Sequence, residues 1–313
     1  MNPRVAFFGS PDFAVATLEA LIDSPYRPIV VVTQPDRPAG RGRSLQPPPV
    51  KVVAERAGIA VLQPARLRDA EAVAELGAFR PELQIIVAYG QILPKAVLDI
   101  PQHGTINVHA SLLPRWRGAS PVQAAILAGD VETGVTIMSV DEGEDTGAIL
   151  ASRPEPIRSD DDAGSLSERL EAAGASLLLE TIPRWLAGEI TPIAQDDSFA
   201  TRAPRIKKAA GQIAWGQPAE EIVRQVRAFS PWPGAFSELR GSVLRVWRAS
   251  AKRGERSAPG TIVAAGDTID VATGHGLLAI EVLQRAGKRA MPAAEFVHGE
   301  RDLVGQRLGV PDG

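Results

Sequence analysis

The sequence contains no cysteine. That excludes disulfides, a thiolate nucleophile and any cysteine-based metal centre, and it fits a reducing compartment. Histidine is almost as scarce. His103, His109, His275 and His298 are the only four in 313 residues, and no two stand at metal-ligand spacing on one helix, so no metal is expected. There is no run of 18 apolar residues, which argues against a transmembrane helix and against a membrane as partner. The apolar run within Met1–Gly9 is too short for the core of a signal peptide and reads as a first buried strand. The cytoplasm is the expected location. The turn after that strand, Gly9-Ser10-Pro11-Asp12, has one glycine and lacks the G-x-G-x-x-G pattern of dinucleotide binding. It reads instead as a tight strand-to-helix turn at the edge of a ligand cleft.

What is present is an ordinary globular composition, 44% hydrophobic and 23% charged, over a length that suits two domains. The charge is unevenly divided. Residues 1–204 carry 18 Lys and Arg against 26 Asp and Glu, a balance of −8, whereas residues 205–313 carry 16 against 11, a balance of +5. A basic final third on an acidic body points to a polyanionic partner for that third, set against chance scatter of surface charge.

The periodicity changes along the chain. Strands are expected at Arg4–Phe8, Ile29–Thr33, Ala60–Leu62, Leu83–Ala88, Thr105–His109 and Gly134–Val140. Helices are expected at Asp12–Asp23, Val50–Ala57, Asp69–Phe79, Pro121–Ala128 and Leu166–Leu186. Such alternation predicts an α/β domain, a mostly parallel sheet covered on both faces, over residues 1–190. Residues 191–208 have weak periodicity and read as a linker. Over residues 209–313 a helix near Ala219–Phe229 is followed by short strands at Ala235–Leu239, Val243–Arg248, Gly260–Ala265, Thr268–Ala272 and Leu277–Leu283, the pattern of a small β-barrel.

The chemistry concentrates in Asn107-Val108-His109-Ala110-Ser111-Leu112-Leu113-Pro114-Arg115-Trp116-Arg117-Gly118. Asn107 and His109 are two apart on an expected strand and so project from the same face, while Ile106 and Val108 face the other way. A fixed amide can donate to an oxyanion that forms when an amine attacks an acyl carbon. An imidazole can move protons near neutral pH. A carboxylate can orient that imidazole, and the turn Asp141-Glu142-Gly143-Glu144-Asp145-Thr146-Gly147 supplies four. Chemistry alone does not choose among Asp141, Glu142, Glu144 and Asp145. A lone histidine and a cluster of acids are each more often structural or solvated; it is their joint occurrence that points to a site. The segment Gln34–Pro49 is too long for a simple connector and holds Arg37, Arg41 and Arg43 between glycines and prolines. It reads as a cationic loop that orders on a phosphate-rich substrate, or as a tolerated insertion.

These residues resemble the signature of the formyltransferases that use 10-formyltetrahydrofolate: Asn107-x-His109-x-Ser111-Leu112-Leu113-Pro114 with Asp145-Thr146-Gly147. The inserted Pro35-Asp36-Arg37-Pro38-Ala39-Gly40-Arg41-Gly42, followed by Pro49-Val50-Lys51, resembles the branch of that family that acts on methionyl-tRNA. Val87–Pro94 and Ser230–Ala235 extend the similarity along the chain. The resemblance implies a Rossmann-like catalytic domain and a C-terminal domain similar to an OB fold. It implies transfer of a formyl group to the α-amino group of methionine on initiator tRNA, for translation initiation, by a monomer needing no metal. By motif it implies Asn107, His109 and Asp145 as the catalytic trio. Ser111, Leu112, Leu113 and Pro114 would bind the folate, with Val87, Ala88, Tyr89 and Asp141 walling the pteridine pocket. Arg37, Arg41, Arg43 and Lys207 would contact tRNA, Arg41 at the acceptor stem. The rival readings are a sugar-nucleotide N-formyltransferase using the same donor, a formyltetrahydrofolate hydrolase, and a non-catalytic RNA-binding protein on a decayed enzyme domain.

Overall fold

A computed structural model describes residues 2–39, 44–254 and 257–309. The chain divides into two compact units. One comprises Met1–Pro121, Glu132–Pro156 and Ser167–Pro204; the other comprises Val122–Val131, Ile157–Leu166 and Arg205–Gly313.

The first unit is built on a seven-stranded sheet. Its first strand, β1 (Val5–Gly9), lies inside the sheet and is buried along its whole length, as its unbroken apolar run requires of a strand covered on both faces. β2 (Pro28–Val32) lies on one side of it. On the same side β2 is followed by a small hairpin, β3 (Arg37–Ala39) with β4 (Ser44–Gln46), and by β5 (Ala60–Leu62) at the sheet edge. β6 (Leu83–Val87) pairs parallel with β1 on the other side, and β7 (Thr105–His109) pairs parallel with β6. β8 (Glu132–Ser139) and β9 (Ile149–Pro156) then run antiparallel, so the order is β5-β2-β1-β6-β7-β8-β9. Its helices are α1 (Val15–Ile22), α2 (Pro49–Arg56), α3 (Ala70–Ala78) and α4 (Lys95–Leu98); of the next two in the chain, α5 (Pro121–Ala128) falls in the second unit apart from Pro121, and α6 (Ala163–Leu186) belongs to the first unit from Ser167 on. The chain leaves β1 toward β2 and later returns to its other side with β6. That reversal makes a crevice at the carboxyl ends of β1 and β6, where ligands of open α/β sheets bind.

Three departures from the sequence expectations have local causes. The helix expected from Asp12 opens with a 3-10 turn at Asp12–Ala14 before α1. The expected loop Gln34–Pro49 contains the β3–β4 hairpin. β9 was not expected: it carries Pro154 and Pro156 and alternates exposed and covered residues, the mark of an edge strand that needs no full ladder of N–H donors. Ser10 joins the ends of three strands. Its hydroxyl accepts from the Gln34 N–H at 3.1 Å and lies 3.3 Å from the Tyr89 carbonyl oxygen, to which it donates.

The second unit begins its basic part with α7 (Ala219–Ala228), whose Ala219, Ile222 and Val226 are buried at helical spacing. An antiparallel sheet follows in the order β10 (Ala235–Leu239), β11 (Ser242–Lys252), β14 (Leu277–Arg285), β13 (Ile269–Ala272), β12 (Ile262–Ala265). β15 (Met291–Pro292) adds to β14 and leads into α8 (Ala293–His298). The segment after α8 bonds both edge strands. Gly305 donates to the Ile262 carbonyl at 2.8 Å, Leu308 to the Gly260 carbonyl at 2.8 Å, and Gly309 to the Glu238 carbonyl at 3.1 Å. The edges are thereby covered around a core of Trp215, Ile222, Val246, Ile280, Leu283 and Phe296, among others.

Candidate active site

Asn107 and His109 lie on β7, two apart and on one face, as the alternation requires. His109 is 6% exposed, and its ring has an oxygen at each nitrogen. Nε2 lies 2.9 Å from the carbonyl oxygen of Trp116. A carbonyl can only accept, so Nε2 carries the proton there. Nδ1 faces Asp145 Oδ2 at 3.6 Å, beyond hydrogen-bond length. The Asp145 carboxylate is itself fixed, accepting the Gly118 N–H at 2.8 Å. Asn107 is half-buried, and among the described residues its side-chain amide makes no hydrogen bond, which leaves both N–H donors available on the face His109 shares.

The loop carrying Asp145 leaves β8 beside the opposite end of β7, where Val140 donates to the Thr105 carbonyl at 2.9 Å. It then folds back to bring Asp145 to His109. Asp145 has φ +56°, a left-handed conformation that Asp tolerates better than most residues. Gly147 must be a glycine, because a Cβ would sit 1.8 Å from the Ser139 carbonyl oxygen. Among the four acids left open by the sequence, only Asp145 meets the imidazole. Asp141 Oδ1 caps its own turn, accepting from Gly143 N–H at 3.0 Å and the Thr146 hydroxyl at 2.7 Å. Glu144 is in an exposed ion pair with Arg202 at 3.1 Å, and Glu142 is exposed.

The other expected site residues lie as follows. Ser111 is buried and donates to the Arg115 carbonyl at 2.6 Å; Leu113 is buried, while Leu112 and Pro114 are half-buried at the loop. Val87 ends β6 inside the core, and Ala88 turns the chain with φ +48°. Tyr89 turns its ring into the core, edge-on to Phe8 at 5.5 Å, so near the crevice it offers backbone rather than ring. Its buried hydroxyl has no hydrogen-bond partner among the described residues, and burial pushes that phenol up to about 12. Arg37 is exposed and donates to Gln34 Oε1 at 2.9 Å. Arg41 and Arg43 lie outside the described residues. Below the hairpin, Asp36 is held by Gln63 at 2.7 Å and Lys51 at 2.9 Å, and these bonds lower its carboxyl from the ordinary 3.8. Lys207 is exposed between Arg205 and Lys208, and none of the three has an ion-pair partner among the described residues. In contrast, Arg240, Arg248, Lys252, Arg285 and Arg289 all sit in ion pairs.

Sequence reasoning assigned no role to Trp116, Gly118, Arg117 or Gln195. Arg117, 4% exposed, donates from Nε to Gln195 Oε1 at 3.0 Å and from a terminal nitrogen to Asp197 at 2.8 Å. Gln195 Nε2 donates to the carbonyl oxygens of Asp145 at 2.9 Å and Gly147 at 2.7 Å. No periodic signal links positions so far apart in sequence.

Comparison with known proteins agrees with this architecture. The family described as formyl transferase matches residues 3–182, and that of its C-terminal domain matches residues 205–301. The chain is 49% identical over 310 residues to the methionyl-tRNA formyltransferase of Citrifermentans bemidjiense, covering 99% of this chain and 97% of that one. Among solved structures, its fold is similar to an N-formyltransferase from Helicobacter canadensis in complex with folinic acid and dTDP-3-aminofucose (TM-score 0.66, 20% identity, 90% of this chain and 99% of that one). It is also similar to HypX from Aquifex aeolicus in complex with tetrahydrofolic acid (TM-score 0.64, 19% identity), of which it spans 47% while 95% of this chain is covered. With both regions matched and a relative at that identity over nearly its whole length, the chain belongs to the formyltransferase family, in the methionyl-tRNA formyltransferase branch.

Proposed function

We propose that this protein transfers the formyl group of 10-formyltetrahydrofolate to the α-amino group of the methionine on initiator methionyl-tRNA, and that Asn107, His109 and Asp145 carry the chemistry. The observation that bears most weight is the free amide of Asn107 on the face it shares with the His109–Asp145 pair. The amine nitrogen bonds to the formyl carbon while the bond from that carbon to N10 breaks; the electron pair goes to N10, which gains the proton the amine loses. Asn107 donates to the formyl oxygen as it gains charge, a contribution of about 3–4 kcal/mol for a positioned donor. His109 is held at Nε2 by the Trp116 carbonyl, so its Nδ1 edge, beside the fixed Asp145 carboxylate, is the one left to take and return the proton. Because the Gly118 N–H keeps Asp145 in place, the carboxylate steadies the imidazolium formed on the way.

The folate segment is Ser111–Pro114, walled by Val87, Ala88, Asp141 and the backbone of Tyr89 at the strand-end crevice. Half-buried apolar Leu112 and Pro114 suit the face of a flat ring. The tRNA acceptor stem meets Arg37, Arg41, Arg43 and Lys207, with Arg205 and Lys208 beside Lys207 as further phosphate contacts. Residues 1–190 act as the catalytic domain, 191–208 as the connection and 209–313 as the tRNA-binding domain, in a cytoplasmic monomer.

The test is release of tetrahydrofolate from 10-formyltetrahydrofolate with one of three acceptors: charged initiator tRNA, an amino-sugar nucleotide, or water alone. Release that requires the charged tRNA is expected. Equal release with the sugar nucleotide or in water would transfer the assignment to one of the rival chemistries.

A further inference from the structure

Resting on that assignment of Asp145, we infer that Gln195 is a positioning residue for the reaction, holding the backbone of the Asp145 loop in its working conformation. The loop that must bring Asp145 to His109 is long and acidic, and Asp145 stands in it with φ +56°. At that point the loop is held from outside by one side chain. The Gln195 amide nitrogen donates both its protons, one to the Asp145 carbonyl at 2.9 Å and one to the Gly147 carbonyl at 2.7 Å. Two donors on one planar group fix the direction of two peptide units across Thr146, and hence the direction in which the Asp145 carboxylate leaves the chain.

Gln195 is fixed in turn. Its oxygen accepts from Arg117 Nε at 3.0 Å, and Arg117 also bonds Asp197 at 2.8 Å. Arg117 lies next to Gly118, whose N–H binds the Asp145 carboxylate at 2.8 Å, and next to Trp116, whose carbonyl binds His109 Nε2 at 2.9 Å. The backbone of Arg117 is itself paired: its N–H donates to the Thr201 carbonyl at 2.9 Å, and its carbonyl accepts from the Ala203 N–H at 2.7 Å. The Trp116 N–H donates to the Thr201 hydroxyl at 2.8 Å. The segment from Gln195 to Ala203 therefore holds both loops that orient the imidazole–carboxylate pair. Among the described residues no other side chain bonds the backbone carbonyls of Asp145 and Gly147.

The test uses the full chain with Gln195→Met, which keeps the length of the side chain and removes its donors, alone and combined with Asp145→Asn. Gln195→Met should lower kcat by about tenfold to a hundredfold, the scale of an ångström-sized misplacement, with KM for both substrates little changed. In the double variant the rate should equal that of Asp145→Asn alone, because Gln195 acts only through that carboxylate. A Gln195→Met enzyme at the wild-type rate beside a dead Asp145→Asn would overturn the inference and leave the catalytic trio standing, as would losses that multiply in the double variant. An Asp145→Asn enzyme at the wild-type rate would instead remove the trio, and the inference with it. Should Gln195→Met not fold, Asp197→Asn reads the same chain of contacts at a position 84% exposed. It should lower kcat about twofold to fivefold, the scale of one exposed ion pair, and an unchanged kcat would overturn the inference.

Discussion

Asn107 and Tyr89 show opposite uses of a polar group with no hydrogen bond inside the described residues. Asn107 is half-buried on the face of β7 that it shares with His109, so its unused donors are available to a substrate. Replacing it with alanine removes no bond of the folded chain, and Asn107→Ala should leave the melting temperature within a degree or two of wild type while kcat falls about a hundredfold or more. Parallel thermal unfolding and steady-state kinetics check the pair of outcomes. Tyr89 is buried, 2% exposed, with its hydroxyl inside an apolar cluster. A buried hydroxyl without a partner costs about 1–3 kcal/mol relative to a satisfied one. Tyr89→Phe should therefore be as stable as wild type or up to about 1 kcal/mol more stable in urea unfolding; a clear loss of stability would mean that the hydroxyl has a partner after all.

At the scale of elements, the hairpin β3–β4 that bears the arginine loop is held at its base by Asp36. Gln63 and Lys51 bond the carboxylate form and lower its pKa. The sign follows directly. A carboxyl depressed in the folded state stabilises fully above its unfolded value of about 3.9, and the contribution is lost as pH falls through the lower folded value. Protection of the hairpin from proteolysis should thus persist through pH 5 and weaken below about pH 4 in wild type, while Asp36→Asn should be weakly protected at every pH. A wild type that weakens already near pH 6 would point to a different group. The strands that carry chemistry were legible because their signals are local: Thr105–His109 alternates, and β1, β2 and β6 are short apolar runs. The choice of Asp145 among four acids was not available from chemistry or spacing, since it depends on a loop folding back along β7. It came only with the resemblance. Gln195 lay in a stretch without periodicity, and its role comes from side-chain bonds that no period encodes. β9 was hidden by its prolines, which are compatible with a strand only at an edge.

At the scale of the whole molecule, the balance of +5 over residues 205–313 already counts the acids paired with Arg240, Arg248, Lys252, Arg285 and Arg289, so most of the excess lies with cations outside those pairs. Arg205, Lys207 and Lys208 are exposed, stand within four residues of one another and are outside any ion pair among the described residues, which makes them candidates for phosphate contact. Replacing Lys207 with alanine should flatten the log–log dependence of tRNA affinity on salt by about 0.7–0.9, the value of one phosphate contact. Arg289→Ala, which breaks an ion pair instead, should leave the slope unchanged. Equal slopes for Lys207→Ala and wild type would remove Lys207 from the interface. Arg41→Ala, in the inserted loop, should act chiefly on kcat/KM for charged tRNA and on discrimination between initiator and elongator tRNA, with folate binding near normal.

The most direct measurement of the central claim is single-turnover transfer of labelled formyl from 10-formyltetrahydrofolate to methionyl initiator tRNA, by wild type and by His109→Ala at matched folded concentration. The account predicts that wild type places the label on the methionine amine and that His109→Ala does so about a hundred to ten thousand times more slowly, the range for a positioned acid–base group. Transfer by His109→Ala at the wild-type rate, or label that never reaches the methionine amine, would contradict it.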